Sequence, residues 1–286
     1  MTRQAPRHGN ARAWGFVLPA MLWTAAFFAA PLAIMGLYSL WRRDGMRLVY
    51  DIGLTNYEKF FAKPALYTSL INSIEVALIV TVISILLAYP LAYILAEKVP
   101  PRWQRMALIL AVLPFWTSYL VRSYSWLLVL SEGGIISNFL LDVGLTGEPV
   151  SFANSRGATV IGFVHFFVML LTLTIYANLV QLPPSYRKAA ADLGAGPVRA
   201  FIYVILPLTL PGIMVGAFLT FVLCIGDYIT PQILGGYREL LLPQTIMLQI
   251  TRRSDFPMAS ALAMILMVVV SMAYISCARW LKIDRM

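Results

Sequence analysis

Charge is scarce in this sequence. Of its 286 residues, 12% are Asp, Glu, Lys or Arg and 60% are hydrophobic, against about 25% and about 45–50% in ordinary soluble chains. The deficit excludes a soluble enzyme, a disordered chain and a nucleic-acid module. Cysteine is nearly absent too. Cys224 and Cys277 both lie in apolar runs, which excludes a disulfide framework and reads as two small buried hydrophobes. The two histidines, His8 and His165, stand alone. No metal-ligand spacing occurs, so no metal is expected, and the lack of an acid–histidine cluster argues against a membrane enzyme. No lysine is followed by Ser or Thr, so the Gly-rich loop that cradles nucleotide phosphates is missing.

What is present is apolar length. A hydrocarbon core of about 30 Å needs about 20 apolar residues of helix, and six runs qualify, at about 14–40, 69–95, 107–130, 157–182, 201–226 and 258–278. A lone span must satisfy its own backbone, so each is expected to be helical. None alternates apolar and polar residues as a barrel strand does. The expected fold is all-α: one polytopic domain over 1–286 with six transmembrane helices. The first run follows Arg3, Arg7 and Arg12 but is too long for a signal-peptide core, so it reads as an uncleaved span. Ile233–Ile250 is partly apolar but interrupted by Arg238 and Glu239, and reads as an interfacial or partly re-entrant piece. Pro90, Pro114, Pro207 and Pro211 fall in spans, where each can kink a helix.

The net charge of +9 sorts by side. The termini and the loops 96–106 and 183–200 carry 12 basic residues against Glu97, Asp192 and Asp284. The loops 41–68, 131–156 and 227–257 carry nine basic and nine acidic residues. By the Lys/Arg bias, both termini are cytoplasmic.

Two charges fall well inside spans, Glu75 and Arg122. Burying either in hydrocarbon costs at least about 2.5–3.5 kcal/mol, so each should face a partner or a watery path. Their depths are similar; they could pair, or Glu75 could face a translocation path and attract a cation. The third span also carries Phe115, Trp116, Tyr119, Tyr124 and Trp126. Such rings either pack and form an interfacial belt or hold an organic cation. Asp227 and Tyr228, at the outer mouth of the fifth span, complete a candidate path of Glu75, Trp116, Tyr119, Arg122, Asp227 and Tyr228. His165 reads as a packing residue.

The most specific segment is SYRKAAADLGAGPVRAFIYVILPLTLPG, residues 185–212. It reads as a short alanine-faced helix, Tyr186–Leu193, a break at Gly194 and Gly196, a second helix start, and re-entry at Pro207. A small helix between glycine hinges can dock in a partner's groove and move as a unit.

This segment resembles the loop of permease subunits of binding-protein-dependent ABC importers, E-A-A, three residues, G, nine residues, I-x-L-P. Ala189 and Ala190 match the alanines, Gly194 the glycine, and Leu206 and Pro207 the closing pair. Val204 replaces isoleucine, and Lys188 reverses the charge of the family glutamate. LPFWTSYLVRSYSW (113–126), EGGIISNFLL (132–141) and GDYITPQILGG (226–236) are similar to the spermidine/putrescine branch. The resemblance implies a type I importer fold, a second permease subunit (related chain or self), two ATPase subunits holding ATP and Mg, and a periplasmic solute-binding protein. It implies a place in the bacterial inner membrane, and a small cation such as putrescine or spermidine as solute. Contact with the ATPases would fall to Arg187, Lys188, Ala189, Ala190, Asp192, Leu193, Gly194, Ala195 and Pro207. The alternative is an ion-coupled secondary transporter or a channel; it would need intramembrane carboxylates, of which Glu75 is the clear candidate.

Overall fold

The computed structural model describes residues 9–45, 47–237 and 239–281. His8 and six charges counted above, Arg3, Arg7, Arg238, Lys282, Asp284 and Arg285, lie outside them. Among the described residues, six helices are long and apolar enough to cross a membrane. By internal packing the chain divides into two units, residues 1–63 with 246–265, and 64–245 with 266–286.

The first unit opens with helix α1 (Gly9–Thr24), a π-helical turn over Ala25–Ala29 and α2 (Ala30–Leu40). A two-stranded antiparallel hairpin follows, β1 (Arg42–Asp44) with β2 (Arg47–Val49), then α3 (Thr55–Ala62). The last carbonyls of a helix have no partner within it. Here the buried Asn56 amide of α3 donates to the carbonyls of Ser39, at 2.9 Å, and Trp41, at 2.6 Å. The Ser39 hydroxyl donates to Gly36 at 2.6 Å and pairs with the Tyr57 hydroxyl at 2.9 Å. The short α3 thus ties off the end of the first span.

In the second unit α4 (Pro64–Glu97) leads to α5 (Pro101–Val112), a 3-10 turn over Leu113–Trp116, α6 (Tyr119–Leu130) and α7 (Ile135–Asp142). Then come α8 (Arg156–Val180), α9 (Ser185–Asp192), α10 (Pro197–Ala200), a π turn over Phe201–Ile205, and α11 (Leu206–Ile225). The short α12 (Ile229–Leu234) precedes α13 (Leu242–Thr251) and α14 (Phe256–Leu281), both of which continue across the boundary between the units.

Helices 4, 8 and 11 form the core of this unit. The hydrophobic effect does not drive helices together in lipid; close packing of small residues and polar bonds do. On α4 a buried stripe of Ser69, Ser73, Ala77, Thr81, Ser84, Ala88 and Ala92 keeps its side chains short. On α11, a Cβ at Gly212 would run into the Asn178 side chain of α8, and one at Gly216 into Leu171. One apolar cluster joins Val76, Val80, Phe163, Phe167 and Ile225; a second joins Ala88, Ala92, Leu171, Ile175 and Ile213. Tyr89 and Thr209 share a buried hydroxyl–hydroxyl bond of 2.9 Å between α4 and α11.

One expectation is corrected. The third run, 107–130, is not one helix. Pro114 sits in the 3-10 turn, Thr117 and Ser118 are extended, and the span-length apolar segment is Tyr119–Asp142. A proline ring and its missing N–H stop the helix rather than merely bend it. Within Ile233–Ile250, read from sequence as interfacial or partly re-entrant, the stretch 241–245 packs into the unit. The Leu242 N–H donates to Ser73 at 2.7 Å, Asn72 donates to the Leu240 carbonyl, and Leu241, Leu242, Gln244 and Thr245 are buried. Pro90 and Pro211 lie inside α4 and α11. Pro31 and Pro207 each follow a π turn by two residues; the wide turn opens the place where the proline ring would strike the preceding turn.

Candidate functional site

The 183–200 loop is built around one left-handed residue. Helix α9 ends at Asp192, and Gly194 takes φ +79°. Its N–H donates to Ala191 and the Ala195 N–H to Ala190, each at 2.9 Å. This is a Schellman cap, which requires a left-handed residue at the glycine position. A Cβ at Gly194 would meet nothing within 4 Å. Glycine is needed there for its backbone, not for space. Gly196, at φ −65°, is ordinary backbone that opens α10, so the loop has one glycine joint and not the two expected from sequence.

Ala190 is buried and Arg187 half-buried, while Lys188, Ala189 and Asp192 are exposed. Leu193 is 88% exposed and Val198 68%. The Arg187 guanidinium makes a two-pronged ion pair with Glu97, the last residue of α4. Glu97 was read from sequence only as one more charge in a basic loop; it is the sole acid at that end of its span, and that was the available signal. Phe201 packs edge-on against Tyr89 and Tyr93, with ring centroids 5.5 and 5.2 Å away. Pro207 stands in the first turn of α11.

The candidate path residues fall in three places. Glu75 pairs with Arg156 at 2.5 Å, not with Arg122. Arg156, at the edge of the 131–156 loop by sequence, is the first residue of α8. Trp116 is 82% exposed and borders a separate apolar pocket of about 250 Å³ with Leu108, Ile109, Val112 and Leu173. Tyr119, Arg122 and Asp227 do converge, around a residue that sequence reasoning missed, Phe166 of α8. Phe115 stacks on Phe166 at 5.3 Å, Tyr119 meets it edge-on at 5.4 Å, and the Arg122 guanidinium carbon lies 5.0 Å from its ring centre. Nothing in the sequence sets it apart from Phe163 or Phe167.

Asp227 is a cap as well as a candidate ligand. Its carboxylate accepts from the Tyr119 hydroxyl and from the N–H groups of Ile229, at 2.9 Å, and Thr230, at 3.3 Å. The buried Thr230 hydroxyl also bonds Tyr119. A carboxylate has about four lone-pair sites, so room remains for one more donor. Tyr119, Phe166, Phe167, Val222, Leu223, Gly226 and Asp227 line an open cleft of about 350 Å³, which Tyr228 does not border. His165 accepts at Nδ1 from the Trp126 indole at 2.7 Å, as its packing role anticipates.

Six span-length helices among the described residues mark a multi-pass membrane protein. Residues 13–282 match the family described as binding-protein-dependent transport system inner membrane component, and the chain belongs to that family. It is 32% identical over 251 residues, 87% of this chain and 90% of the relative, to the spermidine/putrescine transport system permease protein PotB of Escherichia coli. It is 31% identical over 271 residues, 89% of this chain and 84% of the relative, to the inner membrane ABC transporter permease protein YdcU of the same organism. In fold it matches a chain of a bacterial ABC transporter that imports alginate, at TM-score 0.74, covering 94% and 96% of the two chains with 16% identity. A second structure of an alginate transporter, in complex with its alginate-bound periplasmic protein, matches at 0.75 with 15% identity, covering 96% of each chain. The protein is therefore an ABC importer permease subunit, a multi-pass inner-membrane protein.

Proposed function

We propose that this permease forms the path for a small organic amine of the polyamine class. The observation that carries this reading is the similarity to PotB over 87% of the chain. The cleft supports it: Asp227 keeps one open acceptor position for an ammonium group, with Tyr119 in the same wall. In this reading 1–286 is one permease domain with both termini and the 183–200 loop in the cytoplasm. The loop docks through Lys188 of α9, the following Leu193 and Val198 of α10 on an ATPase subunit. A second permease subunit, two ATPases and a periplasmic binding protein complete the assembly. Closure of the ATPases on ATP would move the loop as a body and turn the path outward.

The test is uptake of labelled putrescine and spermidine into proteoliposomes holding the full complex, with binding protein outside and ATP inside. ATP-dependent accumulation of either supports the reading. ATP-driven accumulation of some other solute class, with neither amine carried or competing, would overturn it.

A further inference from the structure

The start of α5 carries charge that neither the loop nor the cleft uses. Lys98, Arg102 and Arg105 are exposed, and none of them makes an ion pair among the described residues. The Gln104 amide fixes the helix here by donating to the Ala96 carbonyl, at the end of α4, at 3.0 Å. Residues three, four and seven apart share one face of a helix. Arg105 therefore stands on the face that carries Leu108, Ile109 and Val112, with Arg102 one turn before it. Those three residues, with Leu113, Trp116 and Leu173 of α8, line the apolar pocket of about 250 Å³. The pocket is an open groove between α5 and α8. Leu173 lies about 10 Å inside the end of α8 at Val180, and Arg105 lies about 6 Å before Ile109. That end of α8 leads into the loop whose Arg187 meets Glu97 of α4, so α5 starts from the same end of this unit. The arginines thus stand at the level where the spans leave the hydrocarbon, and the groove runs inward from them.

Unpaired guanidinium groups at the head of an apolar groove match an amphiphile, with an anionic head above and a hydrocarbon chain below. A free anion has no use for the groove, and a neutral lipid none for the arginines. Guanidinium binds phosphate through paired hydrogen bonds, and basic pockets between membrane helices hold the phosphates of anionic lipids. We propose that Arg102 and Arg105 hold the phosphate of an anionic phospholipid whose acyl chain lies in the α5–α8 groove. Charge complementarity selects this occupant over an apolar face of a second permease subunit. The lipid would brace the joint between Gln104 and Ala96, next to the Glu97 that holds the loop. Such a site is independent of the solute and goes beyond the amine reading.

The experiment places the full complex in phosphatidylcholine nanodiscs. Increasing shares of phosphatidylglycerol or phosphatidylcholine brominated at mid-chain are added, and bromine quenches nearby tryptophan. The Trp116 signal is the difference between wild type and Trp116→Phe. We expect phosphatidylglycerol to quench it at about fivefold lower mole fraction than phosphatidylcholine, equivalent to about 1 kcal/mol. The double variant Arg102→Gln with Arg105→Gln should bring the two lipids level, and Arg102→Lys with Arg105→Lys should keep most of the preference. Inorganic phosphate, added at constant ionic strength, should leave the quenching unchanged. Equal quenching by the two lipids in wild type, or a preference unchanged in the glutamine variant, overturns the proposal. Loss of the preference on adding phosphate also overturns it, in favour of a free oxyanion. No quenching by either lipid means that the second permease subunit covers the groove, and overturns it too. If the double glutamine variant does not assemble, Arg105→Gln alone decides: a reduced preference supports the site and an unchanged one removes it.

Discussion

Arg187 in the first turn of α9 grips Glu97 at the end of α4 through both of its terminal nitrogens. The Glu97 side chain is 14% exposed and that of Arg187 32%. A two-pronged pair in such partial shelter contributes about 1–2 kcal/mol. Arg187→Ala and Glu97→Ala are each expected to lower ATP-driven uptake severalfold while leaving membrane insertion intact. The swapped pair Arg187→Glu with Glu97→Arg should recover part of the loss, measured as uptake rate in a double-mutant cycle.

At Gly194 the left-handed backbone, not crowding, sets the penalty. Alanine there costs about 1–2 kcal/mol, and asparagine less. Uptake should fall in the order glycine, asparagine, alanine, with a normal amount of protein in the membrane. Equal uptake by all three would show that the cap is dispensable.

Gly212→Ala should fail differently. Its added methyl meets Asn178 across the α8–α11 contact, so overpacking of about 1–3 kcal/mol is expected. Folded yield and thermal stability should drop before any effect on coupling is seen. The double variant Gly212→Ala with Asn178→Ala should restore part of the yield.

Asp227→Asn separates a cap from a ligand. Asparagine caps helices about as well as aspartate, so the melting temperature should change little. Loss of the charge that faces an ammonium group should raise KM for putrescine about tenfold, equivalent to about 1.4 kcal/mol. An unchanged KM would leave Asp227 as a cap alone.

Lys188 is exposed on α9 and free to meet a partner, whereas Arg187 is occupied by Glu97. Lys188→Glu, which restores the family residue, is expected to weaken ATPase coupling with the native partner severalfold. Coupling would be read as the ratio of ATP hydrolysed to solute carried. A matching acidic residue on the ATPase, reversed to lysine, should restore it.

Most of the fold was legible because its spans are written in apolar length, which a single chain displays without its neighbours. The loop helix was legible because Ala189, Ala190 and Gly194 encode helix and cap locally. The rest depended on which residues meet. Arg122 and Glu75 share a depth in the sequence, but the helix stop at Pro114 and the placement of Arg156 send them to different partners. Phe166 carries no mark that sets it apart from Phe163 or Phe167 until Phe115, Tyr119 and Arg122 are seen around it. The burial of Leu241–Thr245 rests on Ser73 and Asn72, some 170 residues away in the chain, a distance that no local pattern spans.

The wide turn at Phe201–Ile205 and the ion pair at Glu97 together fix which helix the loop is fastened to. Chain order suggests that the loop should pull on α11, its direct continuation. Yet the backbone there passes through a π turn, while Arg187 and Phe201 fasten the loop to Glu97, Tyr93 and Tyr89, residues one helical turn apart along α4. If the loop helix docks on an ATPase as proposed, torque on it would reach the second span first and the fifth span through its packing: the handle and the shaft of such a lever are 90 residues apart in sequence.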